Sequence, residues 1–339
     1  MSESSVIYRS VITSKFRTEK MLNFYNLVGD GPGQNTIYTT FGRSESWGPN
    51  EKDPGFAPPY PSDDTEGVSD MWEHIMGIVK VNRTYMDAVI PRRDWGDERY
   101  PNPRTFHIGD FIVTNSMPAN QTNVGVGWMV YKVVDVPAAG ACSISSITNK
   151  VECIKLGGEW TPGTESLNAP RRHADGENPD NNNQIDMGDG YIWEYLYTIP
   201  PDVSINRCSN EYIVVPMPDE LSADPVKWGY ENNITWYPGD FQLVYRLKVN
   251  SLRFRAYMDS IYFPEASLPG NEGFRQLSII VNPLEKKKTP SAPNVKATKE
   301  YYNLSGLEKQ SGEMIYMENR QPIIRSMDQT EEINIIFEF

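Results

Sequence analysis

The chain has 339 residues, 39% hydrophobic and 12% aromatic, which is enough to build more than one well-packed core. Its 45 acidic against 32 basic residues give a net charge of −13, which repels nucleic-acid phosphates and anionic lipid headgroups and sets both aside as partners. No stretch approaches the roughly 20 apolar residues that cross a bilayer, and the opening MSESSVIYRSVITSKFR lacks a secretory apolar core, so the sequence reads as a protein made soluble in the cytosol.

Residues 5–13, SVIYRSVIT, are β-branched and predict an extended segment. Ser14 is placed to cap a helix to about residue 27, with Met21, Phe24, Tyr25 and Val28 at helical spacing and Gly29 as its stop. Residues 30–64 are crowded with Gly, Pro and Asn around one short strand at 36–41, as in a long ordered loop or a surface for a neighbour. Asp70 and Glu73 stand at capping-box spacing and predict a short helix from 69 or 70, giving way near Gly77 to a strand at 78–81. Beyond Pro91 the character changes: RRDWGDERYPNP, residues 92–103, is charged and aromatic, and strands are predicted at 110–114 and 127–136. Residues 161–189, with HADGENPDNNNQID, are the least core-like and read as an exposed loop.

Residues 188–218 carry the clearest β signature. Tyr191, Trp193, Tyr195 and Tyr197 alternate with Ile192, Glu194, Leu196 and Thr198, so one strand face is aromatic. Pro200, Pro201 and Asp202 break that strand, and a second follows at 211–215. Further strands are predicted at 241–248, 251–257 and 276–281, then a charged loop at 285–299 and a capped turn of helix from Ser305 to near Gly312. Ile333, Ile335, Phe337 and Phe339 alternate as a closing strand. The fold class expected is mainly β with a few short α-helices, in a multi-domain β-sandwich-like architecture.

Chemistry is hard to find. His74, His107 and His173 stand in unrelated contexts, and no nucleophile elbow, zinc-protease or P-loop motif occurs. Gly29, Gly31 and Gly33 are spaced wrongly for dinucleotide binding and read as a turn. The acidic stretch with Asp175, Glu177, Asp180, Asp186 and Asp189 resembles a calcium loop in composition, but Pro179 and Asp180 break the EF-hand pattern and favour a solvated loop. Trp95, Asp97, Glu98 and Tyr100, or Trp193, Glu194 and Tyr195, raise carbohydrate binding or hydrolysis as the alternative function. Adjacent strand residues face opposite sides, however, so Trp193 and Glu194 would not share a cleft. Lys286, Lys287 and Lys288 read as a solvated patch. Asn82, Asn120, Asn233 and Asn303 fit glycosylation sequons but, without a secretion signal, read as polar turn residues. Cys142, Cys153 and Cys208 form an odd and sparse set, so reduced thiols are expected ahead of a Cys142–Cys153 pair. No catalytic, cofactor-binding or metal-binding residue is assigned, and neither an enzyme nor a small-molecule substrate is expected.

Several segments carry a family resemblance: SVIYRSVITSKFRTEKMLNFYN from Ser5, GFAPPYPSDD from Gly55, DAVIPRRDWGDERYP from Asp87, and residues 188–218. DSIYFPEASLPGNEGFRQLSII from Asp259, SGEMIYMENRQPII from Ser311 and MDQTEEINIIFEF from Met327 continue it to the C-terminus. They resemble the baseplate wedge protein family encoded by gene eight of T4-like contractile-tailed bacteriophages, with the likeness fading across 168–186 and 285–299. The resemblance implies a structural, homodimeric subunit of the virion tail baseplate, assembled in the host bacterial cytoplasm. It would bind other wedge subunits, transmit baseplate rearrangement and use no cofactor. It also implies a discontinuous terminal domain, 1–87 with 245–339, β with flanking helices, around an inserted middle β region, 88–244, with room for two subdomains. Loops 30–64 and 92–103 are the expected interface elements, with Tyr60 and Trp95 as anchors, because proline and aromatic residues suit docking; packing within the monomer is the competing reading.

Overall fold

The structure is a computed structural model that describes residues 11–114, 127–137, 141–147, 150–161, 163–171, 184–229, 241–258, 273–324 and 331–339. In chain order the first elements are α1 (Ser14–Leu27), β1 (Ile37–Gly42), α2 (Thr65–Glu73), β2 (Ile75–Lys80), β3 (Met86–Pro91), β4 (Phe111–Thr114) and β5 (Trp128–Asp135). Then come β6 (Ala141–Cys142), α3 (Lys150–Lys155), β7 (Trp160–Thr161), β8 (Gln184–Asp186), β9 (Ile192–Ile199), α4 (Pro201–Arg207), β10 (Tyr212–Val215), α5 (Pro218–Ala223) and α6 (Gln242–Arg246). The last are β11 (Ser251–Met258), β12 (Gly273–Val281), β13 (Leu284–Glu285), β14 (Val295–Lys296), β15 (Tyr301–Asn303), β16 (Glu313–Ile324) and β17 (Glu331–Glu338). The architecture is mainly β, built from several antiparallel sheets. The chain divides into two compact units, residues 19–86 with 252–339 and residues 1–18 with 87–251.

In the unit of residues 19–86 and 252–339, a five-stranded sheet has the order β15-β2-β1-β12-β16. Every residue of β1 is buried, as a strand covered on both faces requires. Its neighbours are set by the register Ile37↔Val281 on one side and Tyr38↔Lys80 on the other. Tyr38, Trp72, Ile75, Ile78, Ile280, Tyr302 and Leu307 pack into one core cluster. Phe41, of opposite parity to Tyr38, meets Phe274 edge-to-face at 5.4 Å. At Gly42 the register shifts, and a Cβ there would stand 2.8 Å from the His74 carbonyl, so the bulge admits no side chain. β11 pairs with β17, and Phe24 of α1 packs on Phe254 and Phe339.

In the unit of residues 1–18 and 87–251, the sheet order is β4-β5-β9-β8. The aromatic alternation of β9 builds its core: Tyr191, Trp193 and Tyr195 pack with Phe106, Ile112, Tyr131, Val133 and Ile185. A register shift between Val130 and Tyr131 sets Tyr195 opposite Tyr131 and Tyr197 opposite Val130, and Tyr197 donates its hydroxyl to Val214 O at 2.9 Å. Leu196, inside that irregularity, is buried as well. β3 pairs with β10, and Arg207 of α4 closes this region by donating to Asp87 and Glu220. Burial works against the guanidinium's charge, but the Glu220 and Asp87 carboxylates outweigh it, so its pKa lies above the ordinary arginine value.

Several sequence-based expectations are corrected. The N-cap of α2 is Asp64, whose Oδ1 accepts from Gly67 N at 2.8 Å, so the helix starts before the Asp70–Glu73 box. Residues 241–248 contain α6 rather than a strand: Leu243, Val244 and Leu247 are buried at helical spacing behind a left-handed Phe241 with φ 55°. Pro200 and Pro201 start α4 rather than making only a turn, since proline at the first helical position loses no hydrogen bond. Near Ser305 the element is a 3-10 turn, Leu304–Gly306, capped by Asn303. Residues 11–13 lie in neither helix nor strand, and residues 5–10 of the expected extended segment lie outside the described residues.

Cys142 and Cys153 are bonded to each other, with Cα atoms 5.8 Å apart, against the expectation of reduced thiols. The pairing Cys142↔Trp160 and the short α3 bring the two sulfurs together, and Gly158 leaves them room: a Cβ there would lie 2.9 Å from both. Compartment sets the average chance of a disulfide; local geometry sets this pair. Cys208 is free.

Candidate functional site

Among the described residues, the side chains singled out for chemistry form no shared cluster within either unit. His74 donates from Nδ1 to the Asp70 carbonyl at 2.8 Å, while His107, in the other unit, packs against Trp160 at 6.0 Å. His173 lies outside the described residues, as do Asp175, Glu177 and Asp180. The remaining two acids of that stretch accept backbone hydrogen bonds: Asp186 from Gly188, and Asp189 from Leu167, Asn168 and Tyr191. Among the described residues no group of three or more His, Cys, Asp or Glu could hold a metal ion. Gly31 and Gly33 belong to a turn closed by Gln34, and the three lysines from Lys286 are exposed.

Neither carboxylate–aromatic group forms a sugar cleft. Trp193 is fully buried against Tyr191, whereas Glu194 pairs with Arg246. Trp95 donates from Nε1 to Ser166 Oγ at 3.2 Å and lies under the Arg104 guanidinium, so it packs within its own unit. The rest of the 92–103 loop does likewise. Arg92 grips Asp94 at 2.9 Å and stacks on Trp128, and Arg93 lies over Tyr100 and Phe106. Arg99 hydrogen-bonds Asp97 and holds that carboxyl down at about 2.

The 43–64 loop presents a different picture. It lies along the edge strand β16, where Trp47 Nε1 donates to Arg320 O at 2.9 Å. Asn319 Nδ2 donates to Pro59 O, and Gln321 Nε2 to Phe56 O, both at 2.9 Å. Arg275 fastens the loop's base, donating to both oxygens of Glu51 and to Ser44 O. Tyr60, between two prolines, is 98% exposed. Between this loop and α2 opens a cleft of about 490 Å³, lined among others by Arg43, Trp47, Tyr60, Asp64, Asp70, Gln276 and Asn319. Arg43 stacks on Trp47 at 4.2 Å. Asp70 accepts from Gln276 Nε2 at 3.2 Å, and the same amide donates to Asn319 Oδ1 at 3.0 Å. These residues lie far apart in sequence with no motif spacing. The signal available was Gln276, an uncharged polar residue between Arg275 and Leu277 in β12, a strand that ends in Ile279, Ile280 and Val281.

Residues 10–339 match the model of the Phage-Gp8 family, described as Bacteriophage T4, Gp8. The chain belongs to the phage Gp8 family. It is similar at 63% identity, over 339 residues and the full length of both chains, to the baseplate wedge protein gp8 of Enterobacteria phage T4. The likeness therefore extends through the 43–64 loop and the strand that carries it, rather than stopping at a shared core.

One consequence of the loop anchor is measurable in this family member. The hydrogen bonds from Arg275 hold the Glu51 carboxyl at about 2, below its ordinary 4.5. A carboxyl whose folded pKa is depressed adds stability above its unfolded pKa and loses it as the pH falls through the folded value. The stability advantage of the wild type over Glu51→Gln is therefore expected to be full above about 4.5 and to vanish as the pH approaches about 2. Thermal unfolding of both proteins across that window checks it, and a constant difference throughout would contradict the assignment.

Proposed function

We propose that the chain is a structural subunit of a phage tail baseplate wedge, that it acts as a homodimer, and that it binds neighbouring wedge proteins and passes on their rearrangement without catalysing a reaction. The observation that carries this reading is the full-length 63% identity to a baseplate wedge protein. The virion tail baseplate is then its location, and the two compact units act as its domains. The internal hydrogen bonds support the same reading: Arg275 of β12 holds the 43–64 loop to its sheet through Glu51, and Arg92 and Trp95 fix the 92–103 loop through Asp94 and Ser166, as a load-transmitting part requires.

Sedimentation of the purified chain, alone and with the other wedge proteins of its phage, tests the proposal. A particle of about twice 38.6 kDa that enters a larger complex of fixed composition is expected. A monomer that associates with none of those proteins would overturn the reading.

A further inference from the structure

We infer that the cleft between the 43–64 loop and α2 seats an arginine-bearing segment of a neighbouring baseplate protein, received by Asp70 and Gln276 and covered by Tyr60. The inference rests on the assembly reading above and adds to it the chemistry of one contact.

Charge sets the sign of the occupant. The lining holds three carboxylates, Asp64, Glu66 and Asp70, against one guanidinium, Arg43, an excess of two negative charges. Arg43 is already engaged, stacked on Trp47 and with Nη1 3.4 Å from His74 Nε2. That ring nitrogen is the acceptor, because Nδ1 must carry the proton it gives to the Asp70 carbonyl. Asp64 is also occupied, its carboxyl held low by Ser62 and Gly67. Asp70 is half-exposed; its Oδ2 takes the Gln276 amide, while Oδ1 lies 3.4 Å from His74 Nδ1 and 4.0 Å from Arg43.

Gln276 supplies a separate and stronger indication. It is 1% exposed, and its Oε1 has no donor among the described residues. The amide cannot turn over to cure this, because its NH₂ group lies between two acceptor oxygens, Asp70 Oδ2 and Asn319 Oδ1. A buried acceptor without a donor is unfavourable, and a cationic donor entering beside Asp70 would satisfy it. A guanidinium suits this pair better than an ammonium: its planar fork of N–H groups can serve a carboxylate and an amide oxygen together, and its face stacks on an aromatic ring. Tyr60 offers such a ring, fully exposed on a proline-stiffened segment that loses little entropy on contact. Among the described residues no group of three or more His, Cys, Asp or Glu stands here to hold a metal ion instead.

The test uses the full-length protein and each purified wedge protein of its phage, with affinities read at low and high salt. Tyr60→Ala and Asp70→Asn are expected to weaken binding to one and the same partner by about tenfold or more, with melting temperature and self-association unchanged. The wild type's affinity should fall with added salt and that of Asp70→Asn should fall less. Arginine-to-alanine replacements along that partner should include one that reproduces the loss. If both variants bind every partner as the wild type does, or if no arginine of the affected partner matters, the cleft inference is wrong while the assembly reading stands. If the wild type binds no wedge protein, the assembly reading itself fails and the inference falls with it.

Discussion

Replacing Asp87 with alanine is expected to destabilise its unit by about 3–5 kcal/mol, the range for breaking a buried ion pair from one side. The Asp87 side chain is fully buried, its Oδ1 taking Arg207 Nη2 at 2.5 Å, and its removal leaves the largely buried guanidinium with Glu220 as its remaining carboxylate. Glu220, the other carboxylate on Arg207, is 30% exposed, so Glu220→Gln leaves water to share the charge and should cost about 1 kcal/mol or less. The ordering of the two variants in urea unfolding is the measurement. Equal losses would mean that burial does not set the worth of this network.

A second large effect is expected at Trp193, where the alanine variant should lose about 3–5 kcal/mol through the cavity left in the aromatic core. The indole lies 5.7 Å from Tyr191 in a stacked arrangement and 5.2 Å edge-to-face from Phe106, so its removal strips two ring contacts at once. Trp193 Nε1, however, is buried with no acceptor among the described residues. Trp193→Phe therefore deletes an unsatisfied donor together with part of the ring, and its loss should stay near 1–2 kcal/mol, about half or less of the alanine loss. Hydrogen exchange in β5 and β9, read beside the unfolding midpoint, would locate the change. If phenylalanine were as damaging as alanine, the indole nitrogen would have to be making a contact that matters.

The two effects also mark what a sequence can express. Trp193 was legible, because alternation with period two places every second residue of 191–197 on one face and those residues are all aromatic. The buried pair was not: Asp87 and Arg207 stand 120 residues apart, and a charged residue in a list of charged residues gives no sign of its partner. α6 was misread for a related reason. Short apolar runs such as 241–248 fit strand and helix alike, and what decided was the left-handed turn at Phe241 followed by burial of Leu243, Val244 and Leu247. β16 escaped notice because none of its residues from 313 to 323 is buried, so hydrophobicity gave it no clear period.

The candidate site divides along the same line. From the sequence, Tyr60 and Trp95 looked equivalent: each is an aromatic residue in a loop rich in proline and charge. Tertiary packing separated them, turning Trp95 inward to Ser166 and leaving Tyr60 outside, and it drew Asp70, Gln276 and Asn319 from three distant segments into one hydrogen-bonded floor. By itself the sequence determined the mainly β class, the aromatic face of β9 and the family, since local pattern and long stretches of similar residues suffice for those. Which loop faces outward, which cysteines bond and which acid lies beside the unsatisfied amide were decided only by tertiary structure, because each depends on contacts between residues whose separation along the chain carries no signal.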